Sequence, residues 1–245
     1  MNYEDIFSQR GGDYDRAMRT FEQARDEEFR LPLRLANVTP GEVVIDVPAG
    51  GGYLARHLPE SCAWHGHEPC AALAGDGGLD QALLPLPWSN GFADLAMSIA
   101  GAHHLIDKRP LFRELRRVLK PDGRLMLADV HEASAVARFL DDFVGDNNST
   151  GHDGSYLGEH TLQELLETGW QIVSAQRRAY SWRFDSSESL GRFCHQLFDL
   201  CKCGWQETAE AARERLGVTE DASGCQLHWE LHFILAVPAG KAAKT

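Results

Sequence analysis

The 245-residue chain is short of positive charge, of long apolar runs and of paired cysteine knuckles, and each shortage removes a class of function. Lys and Arg number 24 against 36 Asp and Glu, a formal net charge of −12. A chain of that sign repels phosphate backbones, which are bound through clustered cations that release counterions. The one dense basic stretch, Arg113 to Arg117 with Lys120, includes Glu114 at helical spacing and fits a solvated helix face, so no nucleic-acid partner is expected. No apolar run approaches the roughly 20 residues of a membrane-spanning helix, which argues against a membrane partner. The opening MNYEDIFSQRGG lacks the basic and apolar regions of an export signal, so a cytoplasmic protein is the expectation, with its six cysteines as reduced thiols. Cys194, His195, Cys201 and Cys203 lie close together. Cys-x-Cys is not the spacing structural zinc favours, and no second half of a finger follows, so no metal is expected.

What is present is a 43% apolar, globular composition with a clear alternation of periods. Residues 13–36 carry Ala17, Phe21, Ala24, Phe29 and Leu33 at helical spacing, interrupted by Pro32, and read as a leading cap: 1–36 cap, 37–245 main domain. Short β-branched or apolar runs at 42–46, 63–67, 92–98 and 124–130 read as strands. They alternate with helical stretches beginning at Tyr53 and spanning 107–119 and 133–143. Strand and helix in this rhythm predict an α/β fold with a parallel sheet wound on both faces. The segment 145–158, rich in Asn, Asp, Ser and Gly, reads as a mobile loop over a site. Thr161 is expected to cap a helix ending at Thr168, and 189–216 to be helical with a break at Gly204. The runs 171–184 and 226–237 read as an antiparallel pair of long strands closing the sheet, with Trp229 as sheet packing and His232 on the surface.

The most informative stretch is Val43 to Tyr53, a strand that runs into Gly50, Gly51 and Gly52. A strand turning sharply into a helix beside a ligand needs residues without a β-carbon where the backbone approaches it, which implies a nucleotide-like ligand. The dinucleotide fingerprint requires glycine at what are here Pro48, Gly50 and Tyr53, so a nicotinamide cofactor is disfavoured.

The loop resembles motif I of the class I S-adenosylmethionine-dependent methyltransferases, in the variant Asp-Val-Pro-x-Gly, and further features follow in order. Glu68 stands 22 residues after Asp46 at the end of the second strand, where that family keeps an acid for both ribose hydroxyls. Asp80 and Gln81 precede Leu84-Pro85, where the family has its adenine-binding acid; 94–98 resembles its fourth strand, and His103-His104-Leu105 the His-Leu that follows. Glu114 to Gly123 resembles the Arg-Val-Leu-Lys-Pro-Gly-Gly turn before the fifth strand. Only 12 residues separate Glu68 from Asp80, so the third unit is trimmed, and Asp122 replaces a glycine of the turn.

The resemblance implies a Rossmann-like, mostly parallel seven-stranded sheet with an antiparallel C-terminal strand. It also implies S-adenosylmethionine as donor and S-adenosylhomocysteine as product. Asp46, Pro48, Ala49, Gly50, Gly52, Glu68, Asp80, Gln81, Ser98 and Ile99 are then the expected cofactor contacts. Tyr3, Phe7, Arg10 and Tyr14 are expected to fold back as a lid, with Arg10 on the methionyl carboxylate through a forked pair of bonds. A sulfonium methyl is already activated, so the protein needs only alignment and a proton acceptor; His103 and His104 are the candidates, and Tyr156 is a candidate for the acceptor pocket. The opening Tyr3 to Tyr14, with Ala24 to Phe29 and Asp46 to Tyr53, is also similar to the methyltransferase domain of ovothiol synthases. That similarity implies N-methylation of the imidazole of 5-thiohistidine, a small-molecule acceptor, by a monomer or homodimer. An O- or C-methyltransferase of a quinone, phenol or carboxylate, and a non-catalytic binding module, stay open.

Overall fold

A computed structural model describes residues 3–73, 81–222 and 224–240. Two helices lead, α1 (Tyr3–Thr20) and α2 (Asp26–Leu35). The helix thus begins ten residues before the periodicity suggested, and it carries both Arg10 and Tyr14. Pro32 lies inside α2 without ending it, at the cost of one backbone hydrogen bond, and the break falls instead at residues 21–25. Asp26, Glu27 and Glu28 occupy the first turn of α2, where acidic side chains suit the helix dipole.

The strands are β1 (Val43–Asp46), β2 (Ala63–Gly66), β3 (Ala93–Ile99), β4 (Leu119–Asp129), β5 (Trp170–Phe184), β6 (Val218–Asp221) and β7 (Gly224–Pro238). They form one seven-stranded sheet in the order β2-β1-β3-β4-β7-β5, with β6 also paired to β7. The first four are parallel, and β7 runs antiparallel between β4 and β5, as the two long C-terminal runs led one to expect. Leu95 to Met97 and Leu125 to Ala128 are buried on both faces of the sheet, which is why these runs are continuously apolar rather than alternating. β4 starts early: the expected turn at Lys120 to Gly123 is absorbed as a shift of register between Ala93–Leu119 and Leu95–Arg124.

No strand or helix is formed by the described residues between Gly66 and Ala93, in keeping with the short spacing after Glu68. That segment is anchored by side chains. The His67 Nε2 lies 3.1 Å from the carbonyls of Ala82 and Leu83, and Arg117 on helix α3 (Arg109–Val118) donates to the carbonyls of Leu86 and Trp88. Helix α4 (Ala135–Arg138), capped by Ser134, widens into a π-helical stretch at Phe139–Val144 and ends as α5 (Gly145–Asn147). In α6 (Glu159–Glu167) the capping residue is Gly158. Thr161 lies inside the first turn, and its hydroxyl accepts the Gly158 N–H at 3.3 Å, a correction to its reading as the cap. Helices α7 (Ser187–Leu197) and α8 (Trp205–Leu216) follow, split at residues 198–204. His232 is a second correction. Because β7 is flanked by β4 and β5, the ring is only 8% exposed, packs 4.9 Å from His131 and is pushed down to about 4 by burial.

Candidate active site

At the carboxyl end of β1 the chain enters the glycine loop. Gly50 (φ +54°) and Gly52 (φ +74°) adopt the left-handed backbone that side chains resist, and a β-carbon on Gly52 would meet the Trp64 ring at 3.1 Å. Behind the loop the Glu68 carboxylate, 5% exposed, accepts the Gly50 N–H at 2.7 Å and the Cys70 N–H at 2.9 Å. One side chain thereby fixes the end of β2 against the turn after β1. Gln81 donates to the Glu68 carbonyl at 2.9 Å, and Asp80 lies outside the described residues. Asp46 is buried, which raises its pKa well above the usual carboxylate range. Ser98 is also buried, with its hydroxyl unpartnered, while Ile99 reaches the cleft.

That cleft is lined by both aromatic and charged side chains, as small-molecule sites are. Asp46, Pro48, Ala49, Gly50 and Ile99 form one wall, and helix α1 closes over it with Phe7, Arg10 and Tyr14. Tyr53, just past the loop, donates its hydroxyl to Asp15 of α1 and ties that helix down. Arg10 is 7% exposed. It donates to the Phe198 carbonyl at 3.2 Å, its Nε–H has no partner, and burial lowers its pKa against the pull of Asp199. A buried cation so poorly matched is costly without an anion beside it. Deeper in the cleft, Arg25 pairs with Glu28 and donates to the Tyr14 hydroxyl at 2.7 Å, while Glu28 also accepts the Trp182 indole N–H at 2.7 Å. Burial alone would lower the Arg25 pKa, but Glu28 and Tyr14 raise it. Trp182 stacks on Trp229 at 4.0 Å between ring centres, with Phe198 alongside, so the far wall is aromatic.

The side facing Ile99 carries three imidazoles. His103 and His104 sit on the short turn Ala102–His104 after β3, their rings 4.0 Å apart, and His152 comes from the 145–158 segment. The Nδ1 of His103 is 2.7 Å from Asp129, the last residue of β4, and its backbone N–H donates to the other oxygen of the same carboxylate at 3.0 Å. Asp129 also accepts the Val130 N–H. Burial would raise its pKa, but His103 and these N–H groups hold it below the usual carboxylate range. Burial, with His103 and His152 nearby, drives His104 well below the usual imidazole range, and His152 falls to about 4.

Tyr156 is 5% exposed and is not among the cleft-lining side chains. Its hydroxyl donates to Asp141 at 2.6 Å, behind His152, and its ring packs where a β-carbon on Gly154 would fall. Trp229, expected only to pack the sheet, lines the cleft as well. The cysteine cluster is spread out: Cys194 is in the core, the His195 Nε2 lies 3.0 Å from the Cys203 carbonyl, and no group of three ligands suited to a metal occurs among the described residues. Sequence reasoning missed Arg25, Glu28, Asp129, His152 and Trp182. Of these, only Asp129 left a readable sign, an acid closing an apolar strand.

With this geometry in hand, the comparisons with known proteins agree. The model of the methyltransferase domain family matches residues 45–127. An uncharacterised methyltransferase, YcgJ, of Bacillus subtilis is 28% identical over 172 residues, covering 64% of this chain and 65% of that protein. The ubiquinone/menaquinone biosynthesis C-methyltransferase UbiE of Burkholderia vietnamiensis is 31% identical over 162 residues, covering 54% and 67%. The chain therefore spans about two thirds of the length of these relatives. A solved S-adenosylmethionine-dependent methyltransferase of Thermotoga maritima, described as a possible histamine N-methyltransferase, superposes with a TM-score of 0.62 at 14% identity over 96% of this chain and 99% of that one. The chain belongs to the class I S-adenosylmethionine-dependent methyltransferases, and S-adenosylmethionine is its methyl donor. No helix among the described residues is long and apolar enough to cross a membrane.

Proposed function

We propose that this chain methylates a small polar molecule, with the imidazole of 5-thiohistidine as the first acceptor to test. The observation that carries the reading is a single cleft with Asp46 and the loop residues Pro48, Ala49 and Gly50 at one end and an imidazole cluster at the other, with Glu68 behind the loop accepting the Gly50 N–H. The residues fit the donor. Glycines leave room for close approach, each Glu68 oxygen keeps a lone pair for a ribose beside the backbone N–H it accepts, and Arg10, whose Nε–H has no partner, suits a methionyl carboxylate beside Tyr14. Asp46, Pro48, Ala49, Gly52 and Ile99 complete the surround, with Asp80, Gln81 and Ser98 carried over from the family pattern. Bound S-adenosylmethionine supplies an activated sulfonium methyl. The chain's own task is to exclude water, align the acceptor and take up its proton, a role this reading gives to His103 and His104, with Tyr156 contributing from behind His152. Residues 1–36 act as the cap over the domain 37–245.

The 5-thiohistidine assignment is supported by the similarity of the N-terminal segment and glycine loop to the ovothiol synthase domain. The flat aromatic wall of Trp182 and Trp229 also suits the ring of a quinone or phenol, in line with the UbiE relatives. Incubation with S-adenosylmethionine and a panel of 5-thiohistidine, histidine, a catechol and a hydroquinone, read as a mass gain of one methyl, separates these. Gain on 5-thiohistidine alone supports the assignment, and gain only on the catechol or hydroquinone replaces it.

A further inference from the structure

Three imidazoles meet at the reacting end of the cleft, and their surroundings are unequal. His104 is half-buried, packed against Phe7 and its neighbouring imidazoles. His152 shares one oxygen of Asp141 with the Tyr156 hydroxyl, and its Nδ1 is 3.2 Å from each. His103 is joined to a carboxylate with no solvent exposure, by ring and backbone together. A carboxylate that also takes the Val130 N–H can only accept, so the ring nitrogen facing it carries hydrogen. In a neutral imidazole the lone pair then resides on Nε2. His103 borders both the donor cleft and a second cleft lined by residues 150–155, and its carbonyl is held by the Ser155 N–H at 2.7 Å.

We propose that Asp129 is a positioning residue: it locks His103 in the Nδ1–H form with Nε2 as the proton acceptor for methyl transfer, and the acceptor is one that loses a proton on methylation. This rests on the methyltransferase reading. In the step, a lone pair of the acceptor atom forms the new bond to the methyl carbon, and the carbon–sulfur bond breaks with its electrons passing to sulfur. The proton shed by the acceptor atom goes to the His103 Nε2. The resulting imidazolium faces Asp129, and the second cleft, bordered by His103 and the solvent-facing Ile106, offers its proton a route to water. A quaternising transfer to a tertiary amine needs no such group, so it is the acceptor class this arrangement does not serve.

The test is ¹⁵N NMR of the imidazoles in the S-adenosylhomocysteine-bound protein, comparing the parent with Asp129→Asn, followed by kinetics on the panel acceptor that the parent methylates. The parent should show His103 protonated at Nδ1 and bare at Nε2. Asp129→Asn, which keeps the shape, should show a mixture of both tautomers. It should also lose about 100-fold in kcat with the KM for S-adenosylmethionine within two-fold. Asp129→Glu should recover part of the loss. A His103 protonated at Nε2 in the parent, or an Asp129→Asn enzyme with unchanged kcat, overturns the proposal. Absence of S-adenosylhomocysteine binding in the parent would instead overturn the methyltransferase reading, and the His103 tautomer in the free protein would still decide the role of Asp129.

Discussion

The two ends of the cleft are built in different ways. The donor end is made of consecutive residues: β1, the loop to Gly52 and the acid closing β2 lie within about one βαβ unit, and each does its work through backbone geometry or a single carboxylate. The acceptor end is assembled from α1, α2, β5, β7 and the segment before α6, and its polar groups act in pairs: Arg25 with Glu28, His103 with Asp129, Tyr156 with Asp141. A local site can be altered at one residue with a local effect. A dispersed one transmits the loss to the elements it joins.

Variants make that contrast measurable. The largest effect is expected at Glu28→Ala, which leaves the Arg25 guanidinium and the Trp182 N–H buried without their partner and should lower stability by about 3–5 kcal/mol in denaturant unfolding. An unfolding midpoint close to the parent's would mean that the pair is solvated and the acceptor end is not the cooperative unit described. Glu68→Ala should act differently. The N–H groups of Gly50 and Cys70 lose their acceptor, and S-adenosylhomocysteine affinity should fall about 10- to 100-fold by calorimetry, some 1.4–2.8 kcal/mol. Stability should change less than in Glu28→Ala, and the reverse order would break the comparison. Gly52→Ala forces a β-carbon into left-handed backbone and against Trp64, for about 1–2 kcal/mol, to be seen as weaker donor binding with an unaltered tautomer of His103.

The smallest effect is one of pH. His232 titrates near 4 in the folded chain against an ordinary 6.5, so the unfolded chain binds the extra proton between those values. Stability should therefore be full above about pH 6.5 and decline as pH falls toward 4. His152, also near 4, adds to the same slope. His232→Gln should flatten part of it in unfolding curves recorded from pH 4 to 7, and an unchanged slope would place the ring in water.

The same contrast explains what could be read from the sequence. All the strands but the short β6, their order of appearance and the glycine loop were legible because apolar period, β-branched composition and glycine spacing are properties of neighbouring residues. Asp46, Gly50 and Glu68 came with them. Arg25 and Glu28 did not, since two charges three residues apart in an amphipathic helix look the same whether they face water or a cleft. Trp229 and Trp182 became neighbours through the pairing of β5 with β7, which brings together residues 47 positions apart, and Asp129 met His103 only through the parallel pairing of β3 and β4. The loop holding Tyr156 was legible, but the bond of its hydroxyl to Asp141, 15 positions earlier, was not.

The most direct test of the account is a calorimetric titration of the purified chain with S-adenosylhomocysteine and, separately, with NADH. The account predicts saturable binding of S-adenosylhomocysteine at one site per chain, weakened in Glu68→Ala, and no binding of NADH. Tight NADH binding without S-adenosylhomocysteine binding would contradict it.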